Sequence, residues 1–283
     1  MFSLQLENEN GNVVNINDNE TYVVLNVSGL NPPSASIYTS KSLNKKGLKY
    51  NGSSLNERNI VIDIKLLGDV ERSRNALYEW IDTEQYVKIY YKNGVKNAYC
   101  EGYVEDVTID YFSQSEIVSV AIICPNPYWK DLQGIAADLS LLLSQFVFPF
   151  SIGSEGVPFS TIRDKNVSSV YNQGAETGAR FTITCNGEVK ALKIYNAQEG
   201  SKEAFQINAT LPAGWIVVID TESNPKTCKA FKPDGTTENL LKYVVDPTWF
   251  TLKKGENVFG YSCEPDSLNA QVTIAFTHKY LGV

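Results

Sequence analysis

Alternation of apolar and polar residues recurs along most of the chain and restricts it to a mainly β fold. Ile60, Ile62, Ile64 and Leu66 are interleaved with Val61, Asp63 and Lys65, the two-residue period of a strand with one buried face. Val118, Val120, Ile122 and Cys124 repeat the pattern, as do Phe181, Ile183 and Cys185, and then Val272, Ile274 and Phe276. Tyr86 to Tyr91 is aromatic and β-branched and runs into Asn93-Gly94, a pair favoured in tight hairpins because both positions tolerate positive φ. A return strand through Tyr99 and Tyr103 is expected.

One helix is expected in the first half. From Asp69 onward, Val70, Leu77, Trp80 and Ile81 gather near one face, with Glu71, Arg72, Asn75 and Glu79 elsewhere. Asp69 suits the cap, where a carboxylate accepts from free amides and meets the positive end of the helix dipole. Such a stripe is buried by packing on a sheet.

Pro125 and Pro127 interrupt the chain after Cys124, because proline restricts the residue before it and donates no hydrogen bond. A short passage from Asp131 to Ser144 reads as helix. Beyond it, strand-like segments are punctuated by Gly153, Gly156, Gly174, Gly178, Gly187, Gly200 and Gly214, a pattern of β-sandwiches and jelly rolls. The 283 residues therefore divide into two expected domains, 1–130 and 131–283.

Charge and motifs narrow the functional classes. The formal net charge of −7 disfavours phosphate backbones and hence sequence-specific nucleic-acid binding. The nearest basic run, Lys41 to Lys49, is spread among Ser, Asn and Leu and reads as a solvated loop. Five cysteines, Cys100, Cys124, Cys185, Cys228 and Cys263, are far apart and odd in number, which suits thiols in a reducing compartment. No secretory leader is read at the N-terminus. The most apolar stretch, Leu139 to Phe150, includes Ser144, Gln145 and Pro149 and is shorter than the ~20 residues needed to span a bilayer. It reads as a buried segment, and no membrane insertion is expected.

Chemistry is sparse. His278 is the only histidine, so Ser-His-Asp, Cys-His and most zinc sites would have to pass through it; no spaced partners accompany it. Phosphate-binding and dinucleotide glycine patterns are missing. Asn15 to Glu20 is rich in oxygen ligands but lacks the calcium-loop spacing and reads as a polar turn. Asp220 with Glu222, and Glu101 with Glu105 and Asp106, are acid pairs of the kind a glycosidase needs, without any feature bringing them to catalytic separation. Trp215 and Trp249 are candidate carbohydrate contacts, against the alternative that they fill a core. No enzyme activity, cofactor or metal is expected.

Several segments in order resemble the distal tail proteins of long-tailed phages infecting Gram-positive hosts. They are Val27-Ser28-Gly29-Leu30-Asn31-Pro32-Pro33, Glu57 to Ile62, the helix to Ile81, and Ile122 to Trp129 in the first half. In the second half they are Phe148-Pro149-Phe150, Gly156 to Ser160, Tyr171 to Gly178, Trp249 to Asn257 and Tyr280 to Val283. Ala175 and Ala213-Gly214-Trp215 depart from the pattern in loops. The resemblance implies an N-terminal β-sandwich carrying a helix and a protruding β-hairpin, and a C-terminal galectin-like or carbohydrate-binding-module-like β-sandwich. It also implies a homohexameric ring at a tail tip or baseplate in the virion, built in the bacterial host cytoplasm. That ring would meet the tail tube protein on one face and the tail-associated hub or lysin protein on the other, with receptor-binding proteins or cell-surface glycans as further partners. Within this frame the tyrosine-rich hairpin, with Tyr90, Tyr91, Tyr99 and Tyr103, is the expected ring contact, because as an edge it would expose those rings. A receptor- or cell-wall-carbohydrate-binding role through the C-terminal domain is the alternative.

Overall fold

The computed structural model describes residues 2–43, 46–111, 116–139, 142–144, 160–162, 167–245 and 247–283, with 142–144 and 160–162 described by backbone alone. The chain forms two compact units, Met1–Leu132 with Lys279–Val283, and Gln133–His278. The first unit begins with β1 (Ser3–Asn8), β2 (Val13–Asn15), β3 (Tyr22–Ser28), β4 (Ala35–Ser40), β5 (Lys49–Leu55) and β6 (Arg58–Leu66). Then follow α1 (Val70–Trp80), β7 (Tyr86–Lys92), β8 (Asn97–Ile109), β9 (Ile117–Cys124) and β10 (Trp129–Asp131).

The second unit holds β11 (Ile135–Asp138), β12 (Leu142–Ser144), β13 (Ser160–Ile162), β14 (Val167–Asn172), β15 (Arg180–Cys185), β16 (Val189–Asn196) and β17 (Ala204–Leu211). It continues with β18 (Ile216–Asp220), β19 (Thr227–Phe231), β20 (Thr237–Asn239), β21 (Val244–Val245), β22 (Gly255–Glu264) and β23 (Ala270–Phe276). A final strand, β24 (Lys279–Tyr280), belongs to the first unit.

In the first unit one antiparallel sheet runs β2-β1-β7-β8-β9-β6-β3, with β10 bridging β8 and β24. The expected alternation is present: in β6, Ile60, Ile62, Ile64 and Leu66 are buried, and in β9 Val118, Val120, Ile122 and Cys124. Strand β8 pairs with β10 near Tyr99 and with β9 from Tyr103 onward, with a bulge between Val104 and Asp106. A bulge increases local twist, which helps both flanks of the sheet face one core. Helix α1 closes that core with Leu77, followed by Ile81. Asp69 caps it, accepting from the Arg72 amide at 3.2 Å, and the Tyr22 hydroxyl donates to the Ser73 carbonyl at 3.1 Å.

Three sequence expectations change. The Asp131–Ser144 passage is strand, not helix: β11 pairs with β23, and Ile135, Ala137 and Leu139 point into the core of the second unit on a two-residue period. Two alanines raised the helical impression; an open strand edge on β23 overrode it. The Asn93-Gly94 turn is a four-residue loop in which Gly94 has no positive φ. The Asn93 side chain instead accepts from the Val95 and Lys96 amides at 2.8 and 2.6 Å. Lys279–Val283, grouped by sequence with the second domain, belong to the first unit, where Lys279 and Tyr280 pair with β10. Of the Leu139–Phe150 stretch, Leu139 is fully buried; Phe148-Pro149-Phe150, Gly153 and Gly156 to Phe159 lie outside the described residues.

The second unit is a sandwich. One sheet runs β11-β23-β15-β18-β19-β20, the other β14-β22-β16-β17-β21, and both contribute to one core. Phe181 meets Phe250 and Phe259 at ring distances of 5.7 and 5.5 Å. Among the described residues no helix is long and apolar enough to cross a membrane.

Arg58 is the least expected member of the first core. It is 2% exposed, and its guanidinium donates to four backbone carbonyls: Pro127 at 2.9 Å, Asn31 at 2.7 Å, Leu281 at 2.6 Å and Gly29. Its plane lies 5.7 Å from the Trp129 ring centre. Burial pulls the guanidinium below its ordinary pKa, yet arginine stays charged at any ordinary pH. Replacing Arg58 with Met would leave four carbonyls without this donor, each worth about 1–3 kcal/mol when buried. R58M is expected to lower unfolding stability of the first unit by about 3 kcal/mol or more, read from denaturant titration. Deleting Leu281–Val283 should cost less and be strongly non-additive with R58M, because both remove one network; additive losses would refute the shared clamp.

A candidate interaction surface

The residues examined for chemistry are engaged in structure. Asp220 accepts from the amides of Glu222 and Ser223 at 3.0 and 2.9 Å and from Arg180 at 3.0 Å. Burial raises its carboxyl pKa, but these donors outweigh it and hold it below the ordinary value. Glu222 accepts from the Gly178 amide at 2.7 Å and the Thr177 hydroxyl at 3.3 Å. Glu101 accepts from Lys130 at 2.5 Å and Tyr86 at 3.0 Å, whereas Glu105 and Asp106 lie exposed at the β8 bulge. The polar turn at Asn15–Glu20 closes on Asp18, which accepts from three successive amides, Glu20 to Tyr22, each at 2.9 Å. Among the described residues no group of three or more His, Cys, Asp or Glu could hold a metal.

His278 is buried and serves a polar hub in the second unit. Asn172, fully buried, donates to the carbonyls of Ala175 at 2.8 Å and Leu252 at 3.1 Å. Its oxygen accepts from the Gly174 amide at 3.0 Å and faces His278 Nδ1 at 3.0 Å. That arrangement requires the proton on Nδ1, because an amide oxygen only accepts. The Tyr171 to Gly178 motif thus has a physical basis: its Asn fastens the loop, and Gly178 lets the backbone of Thr221 and Glu222 approach.

Trp215 and Trp249 are partly buried against the second core. Trp215 shares the inward parity of Val217 and Ile219 beside β18, with the Lys232 ammonium 4.7 Å from its ring centre. Trp249 sits edge-on to Phe205 at 5.1 Å. They flank different sheets.

The tyrosine hairpin is not an edge. Strand β7 has β1 on one side and β8 on the other. Tyr91 is buried and meets Phe2 and Trp129 at ring distances of 6.2 and 6.1 Å. Tyr90 donates to Glu7 and packs on Tyr99 at 6.0 Å. Burial together with Glu7 pushes the Tyr90 hydroxyl up to about 12. Tyr103, half exposed, meets Tyr86 edge-on at a ring distance of 5.8 Å. Aromatic composition alone could not distinguish a central hairpin from a protruding one.

The hairpin that does stand apart is β4–β5. Its strands pair only with each other, and none of its residues joins the first core. Ile37, Tyr38, Leu48 and Tyr50 are 59, 57, 65 and 61% exposed, and Leu43 is fully exposed. Its base is rigid. Asn56 donates to the Ser34 carbonyl and hydroxyl, both at 3.0 Å, and accepts from Ser36 at 2.8 Å. The preceding loop is held by Arg58, and Gly29 has φ +83° with no room for a Cβ beside the Asn59 carbonyl. Isolated two-stranded hairpins are marginal in water, and an apolar one invites association.

With this geometry in view, the chain's likeness to known proteins is specific. Residues 174–280 match the family described as siphovirus-type tail component, C-terminal domain. That stretch is thus similar to a phage tail component domain, in line with the sequence resemblance. Over its length the chain has the fold of the SPP1 Dit protein, described as a paradigm of the hub adsorption apparatus in phages infecting Gram-positive hosts. The TM-score is 0.71 at 14% identity, with 99% of each chain covered. A chain of the phage P2 baseplate in its activated, calcium-bound conformation matches at TM-score 0.52 and 13% identity, covering all of both chains. No curated protein matches by sequence.

Two outcomes are expected. A Cβ on Gly178 would lie 2.5 Å from the Glu222 backbone, so G178A should destabilise the second unit by about 2 kcal/mol or more. G134A, with nothing nearer than 3.9 Å, should stay within about 0.5 kcal/mol; equal unfolding midpoints would contradict the close approach. For Glu101, burial raises the pKa, but Lys130 and then Tyr86 hold it below the ordinary value. Its stabilisation is then full above the unfolded-state pKa and lost as pH falls through the lower folded one. E101Q should be less stable than the parent at neutral pH and lose less on acidification, measured by thermal melts across pH 2–7 (a window set by carboxylate values of about 4).

Proposed function

We propose that this chain is a non-enzymatic structural component of a phage tail tip or baseplate, acting in the virion after synthesis in the host cytoplasm. Six copies close into a ring that joins the tail tube protein to the tail-associated hub and host-attachment apparatus. The observation that carries this reading is the full-length fold likeness to a hub-adsorption protein, reinforced by the independent family match over residues 174–280. The exposed β4–β5 hairpin supports self-association, since an apolar arm without a core of its own gains most from a neighbour. A non-catalytic role agrees with the engagement of Asp220, Glu222 and Glu101 in local hydrogen bonds. The carbohydrate-binding alternative draws less support, because Trp215 and Trp249 pack against the core.

Negative-stain electron microscopy and light scattering of the purified chain, alone and mixed with its tail tube and hub proteins, test the proposal. Six-fold annuli are expected. A chain that stays monomeric under all these conditions, or one that turns over a cell-wall saccharide, would overturn it.

A further inference from the structure

The β4–β5 hairpin differs from the rest of the chain in charge as well as exposure. Residues 34–56 contain Lys41, Lys45, Lys46 and Lys49 and no Asp or Glu, within a chain of net charge −7. Among the described residues, Lys41, Lys46 and Lys49 of the run read from sequence as a solvated loop thus belong to a basic, apolar arm. Ile37, Tyr38, Leu43, Leu48 and Tyr50 give this arm exposed apolar side chains that a partner could cover.

The first unit carries a surface of opposite character. The turn after α1 lies beside the β8 bulge: the Glu84 amide donates to the Val104 carbonyl at 2.8 Å, and the Val104 amide to the Gln85 carbonyl at 3.0 Å. This brings exposed Glu84 beside the strand that carries exposed Glu105 and Asp106, close in sequence to the half-exposed Tyr103. No Lys or Arg occurs between residues 75 and 87 or between 97 and 116.

We infer that the β4–β5 hairpin of one copy docks on this acidic, tyrosine-edged surface of a second copy, a contact that rests on the ring reading and supplies its repeating joint. The two patches are different parts of one chain, so the contact is head-to-tail, the type that closes into a ring. Lysines facing carboxylates steer the encounter and fix register, while aliphatic and tyrosine side chains supply buried area.

Charge reversal tests it on the full chain. The hairpin variant K41E/K46E/K49E and the acceptor variant E84K/E105K/D106K alter exposed residues and should keep the parent's melting behaviour. Each alone should associate at least tenfold more weakly than the parent by light scattering. The chain carrying both sets should form rings again with itself, because its reversed arm meets a reversed acceptor. Raising salt should weaken the parent's assembly. Parent rings that neither reversal loosens, or loosened rings that the combined variant fails to restore, overturn this contact and leave the ring proposal standing. A parent that never assembles, alone or with its tail partners, overturns both.

Discussion

A single buried cation organises the first unit. Arg58 is removed from water without a carboxylate partner and is balanced by four carbonyl dipoles drawn from three separate stretches: Gly29 and Asn31, Pro127, and Leu281. Desolvating a charge is expensive unless its donors are satisfied, so those stretches must converge wherever the fold persists. The consequence reaches outward. The Gly29–Asn31 loop is the root of β4, and Asn56 closes the opposite root beside Ser34. A hairpin with no core contacts is held at a fixed base because a charge beneath it cannot be left unpaired.

The second unit solves a similar problem with a neutral group. Asn172 uses both halves of its amide, donating to Ala175 and Leu252 and accepting from Gly174 with His278 alongside. A fully satisfied amide in a dry core specifies one loop arrangement, and each missing partner would carry a desolvation penalty. The only histidine is therefore part of a structural hydrogen-bond network.

What could be read from sequence follows the physics of each element. Strands β6, β9, β15 and β23 were legible because one face is buried and the other wet, which leaves the alternation in the residues themselves. Helix α1 was legible from its stripe and from Asp69. Strands β4 and β5 were not: both faces are largely exposed, so no burial pattern exists to be read, and Lys, Ser and Asn look like loop. The tyrosines at 90, 91 and 99 looked like an edge for the converse reason, since central and edge strands share a composition and differ only in what pairs beside them. Arg58 was visible as a motif residue, but its role depends on Leu281, 223 positions away, which local reading cannot connect.

That separation has a consequence for the order of folding. The second unit is inserted between β10 and β24, which pair through Lys130 and Lys279, so the chain leaves the first unit and re-enters it at adjacent antiparallel strands. Insertions at such points let an inserted unit fold from its own contacts. The first unit, by contrast, cannot complete the Arg58 clamp until Leu281 has been made. Its closure is a high-separation contact, the slowest kind to form, and it rigidifies the root of the hairpin. The root of the basic, apolar arm is therefore fixed only after Leu281 has been made. The same buried charge thus ties the order of folding to the root of the hairpin.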